Sequence, residues 1–193
     1  QYWTFTPPAN PECLSIEDSL GLMEEEIEKA KSDGVKVLAN AYTLAPVPAA
    51  IYAAGGEAVL VEIDDNWHTD PADLAAKADA SGAKHFMLSH MRGHVADMDA
   101  MMEGCDARGI TVIEDCAHTM GADWRGVPSG RWGTFGCYST QTYKHVNSGE
   151  GGLLICDDAG LMAKAIMLSG SYMLFEKHRA APPPEAFAQI KYE

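Results

Sequence analysis

Lys144 stands in the stretch STQTYKHVNSGEGG (139–152), with hydroxyl side chains before it and a glycine-rich turn behind it. A solvated lysine needs neither neighbour. A lysine that forms a bond needs a held position and backbone able to turn tightly behind it, which Gly149, Gly151 and Gly152 supply. Two other segments carry groups able to work with it: TVIEDCAH brings Asp115 and His118, and HFMLSHMRGH brings His90 and His94. With Ser139, Thr140 and Thr142, these make an acid, base-capable rings, a hydroxyl cluster and a lysine. That set suits a cofactor with a ring nitrogen, an aldehyde and a phosphate. A second chemistry draws on overlapping residues, because His90, His94, Cys116 and His118 together could ligate zinc. MRG between the two histidines reads as a turn, however, so their rings need not share a face. Taken singly, each residue also has a plain reading: the lysine as solvated, Asp115 as a helix N-cap.

The elements that must position these groups alternate. Apolar strand-like runs at 36–42, 58–64, 85–91, 111–115, 135–140 and 152–158 are interleaved with helical stretches after Pro46, over 70–82 and from about Asp97 to Arg108. Asp70 is a plausible N-cap, Pro71 fits the first helical position and Gly82 the stop. Apolar strands joined by helices imply crossover connections and a doubly wound, mostly parallel α/β sheet covered on both faces. Ligands of such sheets bind beyond the carboxyl ends of the strands. The segments bearing Asp115, His118 and Lys144 all lie at strand ends of that kind. Residues 1–34 read as a proline-punctuated segment followed by an acidic amphipathic helix, 35–175 as the α/β domain, and 176–193 as a proline-rich linker with a short helix from near Glu185.

Composition narrows the partners. The 193 residues carry 28 acidic against 14 Lys and Arg side chains, a formal charge of −14, which disfavours nucleic acid and anionic membrane. No apolar run approaches the ~20 residues of a membrane span, and no basic-then-apolar signal opens the chain. Five widely spaced cysteines without a CxxC pair read as reduced thiols of a cytoplasmic protein.

Taken in order, HMRGHVADMDAM, TVIEDCAHTMGADWRG and SGRWGTFGCYSTQTYKHVNSGEGGLL resemble the StrS-type (DegT family) sugar aminotransferases, over about Val35 to Tyr172. The resemblance implies the large domain of a fold-type-I enzyme dependent on pyridoxal 5′-phosphate (PLP), three-layered α/β/α. It implies amino transfer from an amino acid to a nucleotide-linked keto sugar. By the same resemblance Lys144 matches the covalent anchor of the cofactor and Asp115 the partner of its pyridine nitrogen. His118 stands beside the ring, where the family usually has glutamine, and Ser139 matches a phosphate-binding hydroxyl. Leu44 takes a position where an aromatic usually stacks on the ring. The family's phosphate-binding helix start falls near residues 16–19, where Ser19 is the suitable group but Glu17 and Asp18 oppose a phosphate. The family also implies a homodimer and a further small domain beyond Glu193. The competing reading is a truncated or degenerate relative that folds and dimerises without catalysis. The sequence assigns Arg92 and His145 no role beyond packing or solvation.

Overall fold

The structure, a computed structural model, describes residues 34–169 and 182–188. The expected acidic helix before residue 34, and Ser19 with it, lie outside the described residues.

The chain order is β1 (Lys36–Asn40), α1 (Pro46–Ala53), β2 (Glu57–Val61), α2 (Pro71–Ser81), β3 (His85–Ser89), α3 (Met98–Asp106), β4 (Thr111–Asp115), a two-strand ribbon of β5 (Asp123–Trp124) and β6 (Val127–Pro128), β7 (Phe135–Ser139), β8 (Gly152–Ile155), α4 (Ala159–Leu168) and α5 (Pro184–Ala188). The main sheet runs β2-β1-β3-β4-β7-β8. Its first five strands are parallel, and only the pairing of β8 with β7 is antiparallel. The carboxyl ends of β1, β3, β4 and β7 therefore lie along one edge.

Local chemistry accounts for the elements. Aspartate starts three of the helices: Asp70 accepts from the Ala72 amide at 2.8 Å, Asp97 from Ala100 at 3.1 Å and Asp158 from Leu161 at 2.8 Å. Gly82 ends α2 in the left-handed conformation, φ 71°. The core gathers Leu38, Val61, Leu74, Phe86, Leu88, Met98, Met101 and Val112, from β1 to β4 with α2 and α3 packed over them.

Strands are shorter than the apolar runs suggest, as at β1. The last backbone bond of β1 to β2 is from the Ala41 amide to the Val61 carbonyl at 2.7 Å, and there the Asn40 side-chain amide donates to the Tyr42 carbonyl at 2.8 Å. The region between His90 and His94 is a single 3-10 turn, as expected of MRG, with Arg92 at φ 59°. Helix α4 and the β5–β6 ribbon were not foreseen. The ribbon turns at Arg125 and Gly126, both with positive φ, and Asp123 Oδ1 accepts from the Gly126 amide at 2.7 Å.

Candidate functional site

Strand β4 is the centre of the site. Its residues alternate faces, so the adjacent carboxylates of Glu114 and Asp115 point opposite ways. Asp115 faces the crevice at the strand ends. Its Oδ2 accepts from Ser89 Oγ at 2.8 Å and its Oδ1 from the Ala117 amide at 3.0 Å. A carboxylate has about four acceptor sites, so Asp115 keeps capacity for a further donor. Ser89 is itself placed by Asn40. The Asn40 side chain accepts from the Ser89 amide at 2.8 Å and donates to the Ser89 carbonyl at 3.0 Å. Neither residue was singled out from the sequence. The available signal was a polar residue closing an otherwise buried parallel strand.

The chain after β4 turns back and presents His118, while the loop after β7 presents Lys144. The Lys144 nitrogen lies 2.9 Å from His118 Nε2. On the other side of the ring, the backbone amide of Arg92 donates to Nδ1 at 3.2 Å. A neutral imidazole bears one proton, so with Nδ1 accepting, that proton sits on Nε2, towards Lys144. Burial, and next the charge of Lys144, hold the His118 ring below its ordinary 6.5, against an upward pull from Asp115.

The lysine loop is zipped shut beneath its tip. Thr140 donates its amide to the Gly151 carbonyl at 2.9 Å and accepts from the Ser148 amide at 2.8 Å. Thr142 Oγ1 donates to the Gly149 carbonyl at 2.8 Å. Gly151 has φ 145°, and a Cβ there would sit 2.9 Å from Thr140 Oγ1, so a side chain would open the loop. The hydroxyl cluster of the sequence thus divides: Thr140 and Thr142 tie the loop, while Ser139 stays in the crevice.

Asp115, His118, Ser139, Leu44 and Lys144 line one cavity of about 480 Å³, walled on its apolar side by residues such as Met87 and Met91. Five of the six residues read as a site therefore meet in one place, and Ser19 lies outside the described residues.

The zinc constellation does not assemble. His94 packs edge-on against His68 with ring centroids 5.9 Å apart, and His118 belongs to Lys144. His90 and Cys116 do come together, around Glu114, and all three are buried. Glu114 Oε2 accepts from His90 Nε2 at 3.1 Å and the Gly130 amide at 2.7 Å. Its Oε1 accepts from the Trp132 and Gly133 amides at 2.8 and 2.7 Å. Four donors occupy the acceptor sites an ion would need. Burial pushes the Cys116 thiol up to about 12, which also disfavours a thiolate ligand.

A mostly parallel α/β sheet that gathers a lysine, a histidine and an aspartate at its carboxyl edge matches the architecture of the fold-type-I PLP aminotransferases. One solved neighbour, DesI in the presence of its TDP-sugar product, superposes with a TM-score of 0.66 at 26% identity, covering 79% of this chain and 39% of that one. The chain belongs to the DegT/DnrJ/EryC1/StrS aminotransferase family, whose model matches residues 19–179. Among its relatives, the L-glutamine:scyllo-inosose aminotransferase of Streptomyces griseus is 39% identical over 108 residues, 55% of this chain and 25% of the relative. The UDP-N-acetyl-3-dehydro-alpha-D-glucosamine 3-aminotransferase of Acidithiobacillus ferrooxidans is 30% identical over 153 residues, 79% of this chain and 41% of the relative. The chain thus spans between a quarter and about two fifths of the length of these relatives.

Proposed function

We propose that residues 35–175 form the cofactor-binding large domain of a PLP-dependent aminotransferase that moves an amino group from an amino acid to a nucleotide-linked keto sugar. The observation that carries this reading is the meeting of Lys144, His118 and Asp115 at one cavity. The cavity fits the cofactor: an acid with spare acceptor capacity at its floor, apolar walls, a lysine at its rim and about 480 Å³ of space. The acceptor class is suggested by the relative named for a UDP-linked 3-dehydro sugar, and the amino donor by the one named for L-glutamine.

When bound, PLP supplies an aldehyde and an electron-withdrawing ring. Lys144 would be its covalent anchor and would carry the proton between the substrate and cofactor carbons, a task that needs a lysine nitrogen with an available lone pair. His118 would hold that nitrogen in place and lie beside the ring. Asp115 would keep the ring nitrogen protonated through its charge, with Ser89 and the Ala117 amide fixing its orientation. Leu44 would pack on the ring, and the hydroxyl of Ser139 would contact the phosphate.

The assembled enzyme is a cytoplasmic homodimer in this reading. Exposed Leu153 on edge strand β8 and the half-exposed Leu154 beside it give an apolar edge that an assembly would cover. A monomer mass in light scattering at working concentration would count against the dimer.

The test of function is spectroscopic. PLP-loaded protein should lose its visible absorption band on addition of L-glutamine or L-glutamate and regain it with scyllo-inosose or a UDP-linked 3-keto sugar. A band that no amino donor changes would favour a relative without catalysis.

A further inference from the structure

A second cavity, of about 750 Å³, opens on the other side of the His118–Lys144 pair. Its wall carries Arg92, His118, Lys144 and His145, and among the described residues no carboxylate lines it. That is unusual for a chain with 28 acidic and 14 Lys and Arg side chains.

Arg92 makes the point sharper. The other three arginines of the described residues each hold an aspartate: Arg108 with Asp79 at 3.0 Å, Arg125 with Asp99 at 2.8 Å and Arg131 with Asp157 at 3.2 Å. Arg92 has no carboxylate partner among the described residues. Its backbone is held at φ 59°, a conformation that costs a non-glycine residue energy and persists where surroundings enforce it. Its backbone N–H donates a hydrogen bond to His118 Nδ1, so Arg92 is tied to the ring that contacts Lys144. Asp115, the nearest acid by its effect on His118, lines the neighbouring cavity instead.

A guanidinium with a lysine and two histidines, unpaired and turned to a cavity, fits an oxyanion. We infer that this cavity is an oxyanion subsite, in which Arg92 and His145 bind the carboxylate of the amino donor or the phosphates of the nucleotide-linked acceptor beside Lys144. The inference deepens the proposed function and rests on it for the molecule that bears the anion; the binding of the anion stands on the geometry.

The experiment uses the whole chain, wild type and Arg92→Gly, titrated with L-glutamine, UDP and uridine while the histidine ring signals are followed by NMR. Glycine adopts φ 59° without steric cost, so this variant removes the guanidinium without straining the fold. Wild type is expected to show shifts of the His118 and His145 rings with L-glutamine or with UDP, and none with uridine. The binding constant should weaken about tenfold to a hundredfold in Arg92→Gly, the loss of a charged hydrogen-bonding partner. A response to L-glutamine assigns the cavity to the donor carboxylate, and a response to UDP assigns it to the acceptor phosphates. Rings that move with neither, or affinities unchanged in Arg92→Gly, would overturn the subsite. The PLP absorption test runs separately. A visible band without anion binding defeats the subsite alone, and anion binding without a band defeats the aminotransferase reading alone.

Discussion

Glu114 and Asp115 are consecutive residues with the same carboxylate, on two faces of one strand, and they live by different rules. Glu114 is fully buried and meets four donors, three of them backbone amides of the Gly130–Gly133 segment. Although burial by itself raises its pKa, those donors, His90 first among them, hold it below the ordinary 4.5. Asp115 meets two donors and looks into a cavity that also holds Lys144. Saturation marks the group that builds the fold, and spare capacity marks the group that can meet a ligand.

Breaking the buried node should have the largest effect on stability. Glu114→Ala leaves three backbone amides and His90 unpaired in the interior, a loss of about 3–5 kcal/mol in denaturant unfolding. A loss below about 1 kcal/mol would show that water or a neighbour replaces the carboxylate. Asp115→Asn sharpens the contrast. It should change stability by no more than about 1 kcal/mol, yet prevent the visible band on PLP addition. If both variants lost stability equally, the division between the two faces would fail.

Acid should act on the two sides at different pH. Glu114, with its folded pKa lowered, contributes stability that is present above 4.5 and lost as pH falls through its folded value. His118 also has a lowered folded pKa, but it is a base, so below 6.5 the unfolded chain binds the proton that the folded chain refuses. Stability should therefore decline first as pH drops from 6.5 and again below 4.5. His118→Gln should flatten the first decline and leave the second. The smallest effect concerns Arg92, where replacing a left-handed non-glycine residue with glycine should leave stability unchanged or raise it by about 1 kcal/mol.

These contrasts also explain what could be read without coordinates. That Lys144, Asp115 and His118 meet at one crevice was legible because alternating apolar runs place all three at strand ends. The Asp70 cap, Pro71 start and Gly82 stop of α2 were legible because each is a local device. Glu114 was not, because a Glu-Asp pair does not say which carboxylate turns inward. Its amide partners lie 16 to 19 residues away and become donors only once the chain has folded around Gly133. A Cβ at Gly133 would sit 2.6 Å from the Val112 carbonyl, so that glycine serves the buried node. Arg92 was illegible for a related reason: that it alone of the described arginines lacks an aspartate partner is a fact of space, which a sequence does not display.

The most direct measurement of the central claim is chemical trapping. The protein is incubated with PLP, reduced with borohydride, digested, and the adduct located by peptide mass spectrometry, with Asp115→Asn treated in parallel. The expected result is a pyridoxyl group on Lys144 in wild type and a much lower yield in the variant. An unmodified Lys144, or label spread over surface lysines alike in both proteins, would contradict the assignment of this face of β4 as the active site.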